Sequence, residues 1–323
     1  MAAFYRALRL TASGRQAIRY AMTSRRDFLR QLGGSAIGAV LPLGPAPRAP
    51  RPPTLKLGCA AITWGGDDRQ AIADVGALGY AGIQLRANVV PKYAERPAEL
   101  RELLARNGLT FVALSSGNVS IDPARETEMI AQHVRHARFL RDAGGLYLQL
   151  IDERPRGRAA ESADYTRLGR LLGEIGKRAA DLGVTAAYHH HAGSLGEKPD
   201  EIERVLDATN PRYVRLLLDI AHYRVGGGDP VAAIHRYADR LLFLHIKDVR
   251  LRAADAEGPP FQFVELGRGT VDLPGVVAAL RAVRFGGWAV VELDAVTEPD
   301  GSPRAANERN KRYLERVVGT RVG

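Results

Sequence analysis

Hydrophobic residues in this chain gather into short continuous runs rather than alternating patterns, and helical patterns separate one run from the next. From Leu55 onward eight runs read as strands, at about 55–62, 81–86, 109–115, 146–151, 184–190, 213–219, 241–247 and 288–293. Helical patterns lie at about 68–78, 95–107, 124–143, 161–182, 199–208, 230–238, 273–284 and 303–318. A continuous run suits a strand buried on both faces, and a helix must carry the chain back before the next parallel strand begins. Several helical patterns close on glycine, as at Asn107-Gly108, Gly144-Gly145 and Asp181-Leu182-Gly183, where a left-handed cap ends a helix. Eight βα units predict an α/β fold, a single (β/α)₈ TIM barrel over residues 54–323.

Four runs end on a side chain that can bind a metal: His189 after Val184-Thr-Ala-Ala-Tyr188, Asp219 after Leu216-Leu-Leu218, His245 after Leu241-Leu-Phe-Leu244, and Glu292 after Trp288-Ala-Val-Val291. In a barrel the carboxyl ends of all strands meet at one mouth, so these four face each other. Imidazole with carboxylate suits Mn²⁺, Zn²⁺, Co²⁺ or Fe²⁺ better than Ca²⁺. Along His189-His190-His191, strand alternation sends His189 and His191 to one side and His190 to the other. Taken alone, Asp219 also reads as the cap of the segment after it, and Glu292 as half of a salt bridge with Lys247 or Arg86. Trp64, Gln84, Arg86, Gln149 and Lys247 stand at or near other strand ends as candidate substrate contacts. Glu265 and Arg268 join them from the mostly polar connection 248–272, which is expected to arch over the mouth as a lid. Gly226-Gly-Gly-Asp-Pro230 lacks the lysine and the spacing of a phosphate loop.

Charge changes the picture at one end. The chain carries a formal net charge of +10, and residues 1–53 hold nine arginines against one acid, which is +8 of that total. The body is left near neutrality, which argues against nucleic acid as a partner. Ser24-Arg25-Arg26-Asp27-Phe28-Leu29-Arg30, with the weakly apolar stretch 32–43 after it, matches a twin-arginine leader. That predicts passage through the twin-arginine export machinery to the periplasm or beyond. The apolar stretch is too short for a stable membrane span, and Pro45–Pro53 reads as an extended linker with cleavage near Ala46 or Ala49. Met22 is an alternative start. Cys59, the single cysteine, excludes an intramolecular disulfide and reads as a small buried hydrophobe.

Leu216-Leu-Leu-Asp-Ile-Ala-His222 with Gly227-Gly-Asp-Pro230, Leu244-His-Ile-Lys-Asp248, Glu265-Leu-Gly-Arg-Gly269 and Gly286-Gly-Trp-Ala-Val-Val-Glu292 resemble, as an ordered set, the xylose isomerase-like TIM-barrel superfamily of sugar phosphate isomerases and epimerases. The resemblance implies metal ligands Glu, Asp, His and Glu from the last four strands. Asp219, His245 and Glu292 match, and His189 takes the place of the first glutamate. Tyr188-His-His-His-Ala-Gly193 resembles the corresponding stretch of inosose dehydratases in the same superfamily. The activity implied by the resemblance is that of a divalent-metal-dependent sugar isomerase or epimerase. It would take a proton next to the carbonyl of a sugar or polyol ketone, through a metal-stabilised enediolate. Glu292 would be base or ligand, and His191 or His222 the proton donor. An inosose dehydratase-like lyase that eliminates water is the first alternative, and an exported non-catalytic carbohydrate-binding barrel the second. In the exported compartment the substrate is expected to be unphosphorylated.

Overall fold

Eight parallel strands close on themselves in the computed structural model, which describes residues 54–253, 258–299 and 301–319. The leader and linker expected over 1–53 lie outside the described residues. The barrel strands are β1 (Lys56–Ala60), β2 (Gly82–Arg86), β3 (Thr110–Val119), β4 (Tyr147–Asp152), β5 (Thr185–His189), β6 (Val214–Asp219), β7 (Leu241–Ile246) and β10 (Trp288–Val291). Their order around the barrel is β1-β10-β7-β6-β5-β4-β3-β2, and β1 closes on β10 with Gly58 opposite Val290. The returning helices include Asp68–Ala77, Pro97–Arg106, Glu126–Asp142, Ser162–Asp181, Pro199–Asp207, Pro230–Arg236, Leu273–Ala282 and Pro303–Val318. Short polar side chains start several of them. Asp67 accepts from the Gln70 amide, Asp229 from Val231, Asp272 from Gly275 and Ser302 from Ala305.

Alternation along each strand sorts the core into two parts. Ile83, Leu85, Leu148, Leu150, Leu216, Leu218, Leu244 and Ile246 belong to the large buried cluster that joins strands to helices. Inside the barrel a separate cluster of Ala60, Val112, Ala113, Ala187, Leu217, Phe243, Trp288 and Val290 forms a packed floor. Gly82 has to be glycine there, because a Cβ would stand 2.5 Å from Val112 and 2.7 Å from the Trp288 ring. Two residues further along the same strands come the polar groups: His189 after Ala187, Asp219 after Leu217, His245 after Phe243, Glu292 after Val290 and Gln84 after Gly82. The period of two therefore stacks one polar layer directly on the apolar floor, facing the mouth.

Connection 248–272, expected as a lid, carries secondary structure of its own. It contains an antiparallel hairpin of β8 (Asp248–Leu251) and β9 (Phe261–Val264), with Val249 opposite Phe263. The physical reason is the alternating Phe261-Gln-Phe263 run, whose aromatic side pairs with Val249 and turns inward. Asp248 fastens the returning loop by accepting from the amides of Val249, Gly267, Gly269 and Val271. Cys59 is buried against the Asn307 amide oxygen, and burial pushes its thiol pKa up. Among the described residues no helix is long and apolar enough to cross a membrane.

Strand β3 runs past the expected end at 115 to Val119, with a break in its pairing to β4 between Ser115 and Asn118. Ser116 pins the break from outside. Its Oγ lies 2.6 Å from His133 Nδ1 and 2.8 Å from His136 Nδ1, both on the Glu126–Asp142 helix. The Asn118 carbonyl, 3.3 Å from His133 Nε2, can only accept, so that nitrogen carries the proton and His133 Nδ1 receives the serine O–H. Burial lowers the His133 pKa to about 4, although the Asn118 carbonyl pulls the other way. The unfolded chain takes up this proton near 6.5, so stability is lost as pH falls from about 6.5 toward 4, by roughly 3 kcal/mol for this group. Denaturant unfolding of His133→Gln across that window should show a shallower decline than the native chain. An unchanged acid limb would mean that His133 does not titrate there.

Candidate metal centre

His189 and Asp219 are the last residues of β5 and β6, His245 is the penultimate residue of β7, and Glu292 comes directly after β10. One ligand-capable atom from each lies within 4.8 Å of those from the other three, and all four residues are buried. Asp219 meets both of its sequence readings at once. Its Oδ1 caps the next helical turn by accepting from the amides of Ala221 and His222, while Oδ2 turns inward, 3.3 Å from His245 Nδ1. Glu292 is divided in the same way. Oε1 accepts from Lys247 Nζ at 3.0 Å, and Oε2 lies 3.5 Å from His245 Nδ1.

Gln84 fixes where the protons are. Its amide nitrogen donates to Glu292 Oε2 at 3.3 Å, so its oxygen faces His245 Nε2 at 2.9 Å and that ring nitrogen must donate. In the neutral ring His245 Nδ1 then carries a lone pair aimed at two carboxylate oxygens. His189 Nδ1, Asp219 Oδ2 and His245 Nδ1 are all buried with no hydrogen-bond partner among the described residues. Lone pairs that converge without a proton between them repel, and a cation at their centre removes the repulsion. The donor set of two imidazoles and two carboxylates fits a divalent transition metal, with Gln84 orienting both His245 and Glu292 behind it. The ionisation states agree. Burial raises the Asp219 pKa, yet His222, His245 and Lys247 outweigh it and hold the carboxyl well below the usual range. Glu292 is likewise raised by burial and brought below its usual value by His245 and Lys247. Burial keeps His189 and His222 neutral by lowering their pKa values well below the ordinary one.

A second group, His189, His191 and His222, also brings three nitrogens together. His222 is poorly placed to serve it, because Lys247 Nζ lies 3.5 Å from its Nε2. The two rings have another arrangement in common. The Ala192 amide donates to His222 Nδ1 at 3.1 Å, and His191 Nδ1 donates to the Ala192 carbonyl at 2.9 Å. One backbone residue thus clamps both rings, with centroids 3.8 Å apart, and leaves Nε2 of His191 as its proton-exchanging atom. His190 turns the other way. Its Nε2 accepts from the Asp219 amide at 3.2 Å and its ring packs against Tyr223.

Above the polar layer opens a cavity of about 630 Å³, lined among others by Gln84, Arg86, Asn118, Gln149, His189, His191, Glu292 and Asp294. Gln149 presents a buried Oε1 without a partner among the described residues. The remaining residues expected to touch substrate lie elsewhere. Trp64 sits in the turn Ala61–Trp64 and donates its indole N–H to Asp74 Oδ2 at 2.9 Å, away from the cavity. Lys247 does not line it and is fully buried, 3.0 Å from Glu292 Oε1 and 2.6 Å from Asp294 Oδ1, with the Phe263 ring of the hairpin 4.0 Å away. Burial lowers its pKa, but Glu292, Asp219 and Asp294 outweigh this and keep it an ammonium. Glu265 accepts from Thr297 and Arg309, and Arg268 pairs with Glu298 at 2.8 Å, so both tie the loop after β9 to the loop after β10. Asp294 and Phe263 are not among the residues expected from the sequence. Asp294 is detectable as the residue two beyond Glu292 on the same side, and Phe263 as the inward member of the alternating Phe261-Gln-Phe263 run.

Known proteins share this architecture. A family model described as "Xylose isomerase-like TIM barrel" matches residues 72–316. The rhizopine catabolism protein MocC of Rhizobium meliloti is 33% identical over 280 residues, 75% of this chain and 82% of its own length. Inosose dehydratase of Geobacillus kaustophilus (strain HTA426) is 30% identical over 300 residues, 81% of this chain and 94% of its own. Among solved structures, the IOLI protein with a binding zinc atom superimposes with a TM-score of 0.70 at 18% identity, over 82% of this chain and 98% of that one. L-ribulose 3-epimerase does so with a TM-score of 0.65 at 17% identity, over 82% and 95%.

Elemental mass spectrometry of the purified protein should find about one equivalent of Mn, Co, Zn or Fe, lost in both Asp219→Ala and His245→Ala. Gln84→Leu should keep the metal but hold it about 10- to 100-fold more weakly against a chelator, because it only orients the ligands. Metal retained in His245→Ala would move the site to the three-histidine group.

Proposed function

The chain belongs to the xylose isomerase-like TIM-barrel family, and from that premise we propose that it is a divalent-metal-dependent enzyme that removes the proton beside the carbonyl of a keto-polyol and expels water from the neighbouring carbon. The observation that carries this reading is the unlike chemistry on the two flanks of the cavity. On one flank stand Glu292 and Asp294, both gripped by Lys247. On the other stands His191, held through Ala192, on the loop after β5, which is three places from β10 in the barrel order. An epimerase takes a proton from one face and returns it to the other, which asks for equivalent bases on opposite faces. A carboxylate opposite an imidazole suits removal of a proton on one side and protonation of a leaving hydroxyl on the other. The relative named inosose dehydratase supports the same branch.

A divalent cation held by His189, Asp219, His245 and Glu292 supplies Lewis acidity, lowering the cost of negative charge on the carbonyl oxygen. The chain's own groups do the rest. Both oxygens of Glu292 are engaged, one by Lys247 and one by Gln84, which suits a ligand. Asp294 offers one oxygen to Lys247 and lines the cavity, and burial raises its pKa against the pull of Lys247. That makes Asp294 the base: it takes the α-proton as the C–H electrons form the new C=C bond. His191 in its imidazolium form, with Nδ1–H held by the Ala192 carbonyl, gives its Nε2 proton to the departing hydroxyl as the C–O bond breaks, so that water leaves and the ring returns to neutral. Gln149, with its free acceptor, holds a substrate hydroxyl.

Incubation with a keto-inositol in D₂O tests the branch. The expected product has lost one water, and Asp294→Asn should lower kcat by about 100- to 10,000-fold with its metal content unchanged. Glu292→Gln should lose both metal and turnover. A product of unchanged composition carrying one deuterium would replace elimination by isomerisation or epimerisation. A metal-loaded protein inert to every keto-polyol would favour the carbohydrate-binding reading. Export by the twin-arginine route is part of the same proposal, from Ser24-Arg25-Arg26-Asp27-Phe28. Replacing Arg25 and Arg26 by lysine should hold the chain in the cytoplasm on cell fractionation.

A further inference from the structure

Arg86 ends β2 two residues beyond Gln84. Ile83 and Leu85 pack toward the helices, so alternation turns Arg86 to the same inner side as Gln84, and it lines the cavity. Two residues of strand rise place it about 7 Å further up the mouth than the layer that holds His245 and Glu292. Arginines on this protein are mostly engaged by carboxylates or carbonyls, yet Arg86 has no hydrogen-bond or ion-pair partner among the described residues. The other cation of the cavity wall is taken. Lys92 reaches Asp68 at 2.5 Å and the Gly66 carbonyl at 2.9 Å. The cavity thus has an anionic flank already neutralised by Lys247 and, on β2 two places along the barrel, a guanidinium fork that the described residues leave unpaired.

We propose that Arg86 reads a carboxylate on the substrate, so that the enzyme takes an acidic keto-polyol in preference to a neutral one. A guanidinium fork matches a carboxylate in shape and charge, two parallel N–H···O bonds to a single negative charge. A phosphate monoester carries about two charges and three oxygens, and the other cation of the cavity wall, Lys92, is already engaged by Asp68. The height of Arg86 above the ligand layer puts the acid at the far end of the molecule from the carbonyl, where it anchors the ring without entering the chemistry. The inference rests on the keto-polyol reading for the carbonyl's position and goes beyond it in the charge of the substrate.

The test is calorimetric titration of the metal-loaded protein with three unreactive rings: myo-inositol, quinate as a cyclic polyol carboxylate, and an inositol monophosphate. The expected result is quinate binding at least about tenfold tighter than myo-inositol, a preference that shrinks with added salt. Arg86→Gln should abolish the preference while leaving the myo-inositol affinity in place. Arg156→Gln, which removes another arginine that lines the neighbouring cavity beside His191, should leave it intact. Equal binding of quinate and myo-inositol, or a preference that survives Arg86→Gln, overturns the proposal. Tighter binding of the monophosphate overturns the carboxylate assignment in favour of a phosphate. Because no turnover is read, failure of the elimination reaction and failure of this subsite are told apart: a quinate preference without dehydration keeps the subsite, and dehydration without it keeps only the reaction.

Discussion

Lone pairs that point at one another in a buried place set the terms for the whole mouth of this barrel. Asp219 Oδ2 and Glu292 Oε2 approach His245 Nδ1 to 3.3 and 3.5 Å, and a neutral imidazole whose proton is on Nε2 puts none between them. Burying such a set costs several kcal/mol per uncompensated ion, so the surroundings must already supply opposite charge and fixed donors. They do. Lys247 sits beside Glu292, backbone amides hold the outer oxygen of Asp219, and Gln84 bridges His245 to Glu292. What they leave uncancelled is the inner side, and a divalent cation is the species whose charge and size complete it.

The floor beneath explains why the cluster can be held so closely. Phe243, Leu217, Val290 and Trp288 fill the barrel interior, and each polar group stands two residues above one of these or a neighbouring small residue. A strand that slipped by one residue would put Phe243 or Val290 in the helix layer and the ligands out of the barrel. Packing of the apolar layer and assembly of the ligand layer are therefore one register condition.

This coupling is also why so much of the fold and the site is legible in the sequence. Continuous apolar runs mark strands buried on both faces, and a ligand-type residue at the end of a run inherits its place from the run. His189, Asp219, His245 and Glu292 come out of that logic, as does the split of His191 from His190. The reading weakens wherever the strand period stops. Trp64 lies in a tight turn, where alternation no longer says which way a side chain faces, and it points to Asp74. Lys247 sits one residue beyond β7 and is drawn into the interior by two carboxylates. A charged residue in a sequence is read as a surface group unless its partners are known. Glu265 and Arg268 are claimed by Thr297 and Glu298, far along the chain, and no local pattern announces such pairs.

Histidine at position 189 changes more than one ligand. A carboxylate there would add a negative charge to the cluster and a base to that side of the cavity. An imidazole gives the same lone pair with neither. A cation held there would be less neutralised and so a stronger Lewis acid, and in the proposed mechanism proton transfer on that side falls to His191, two residues on. Ala192 makes that workable, since the same backbone residue fixes the tautomers of His191 and His222. The flank built around Lys247 keeps two carboxylates, of which only Asp294 has an oxygen without a partner among the described residues. With histidine rather than a carboxylate at the end of β5, the proposed mechanism draws on unlike groups, Asp294 and His191, one for moving a proton away and the other for supplying one.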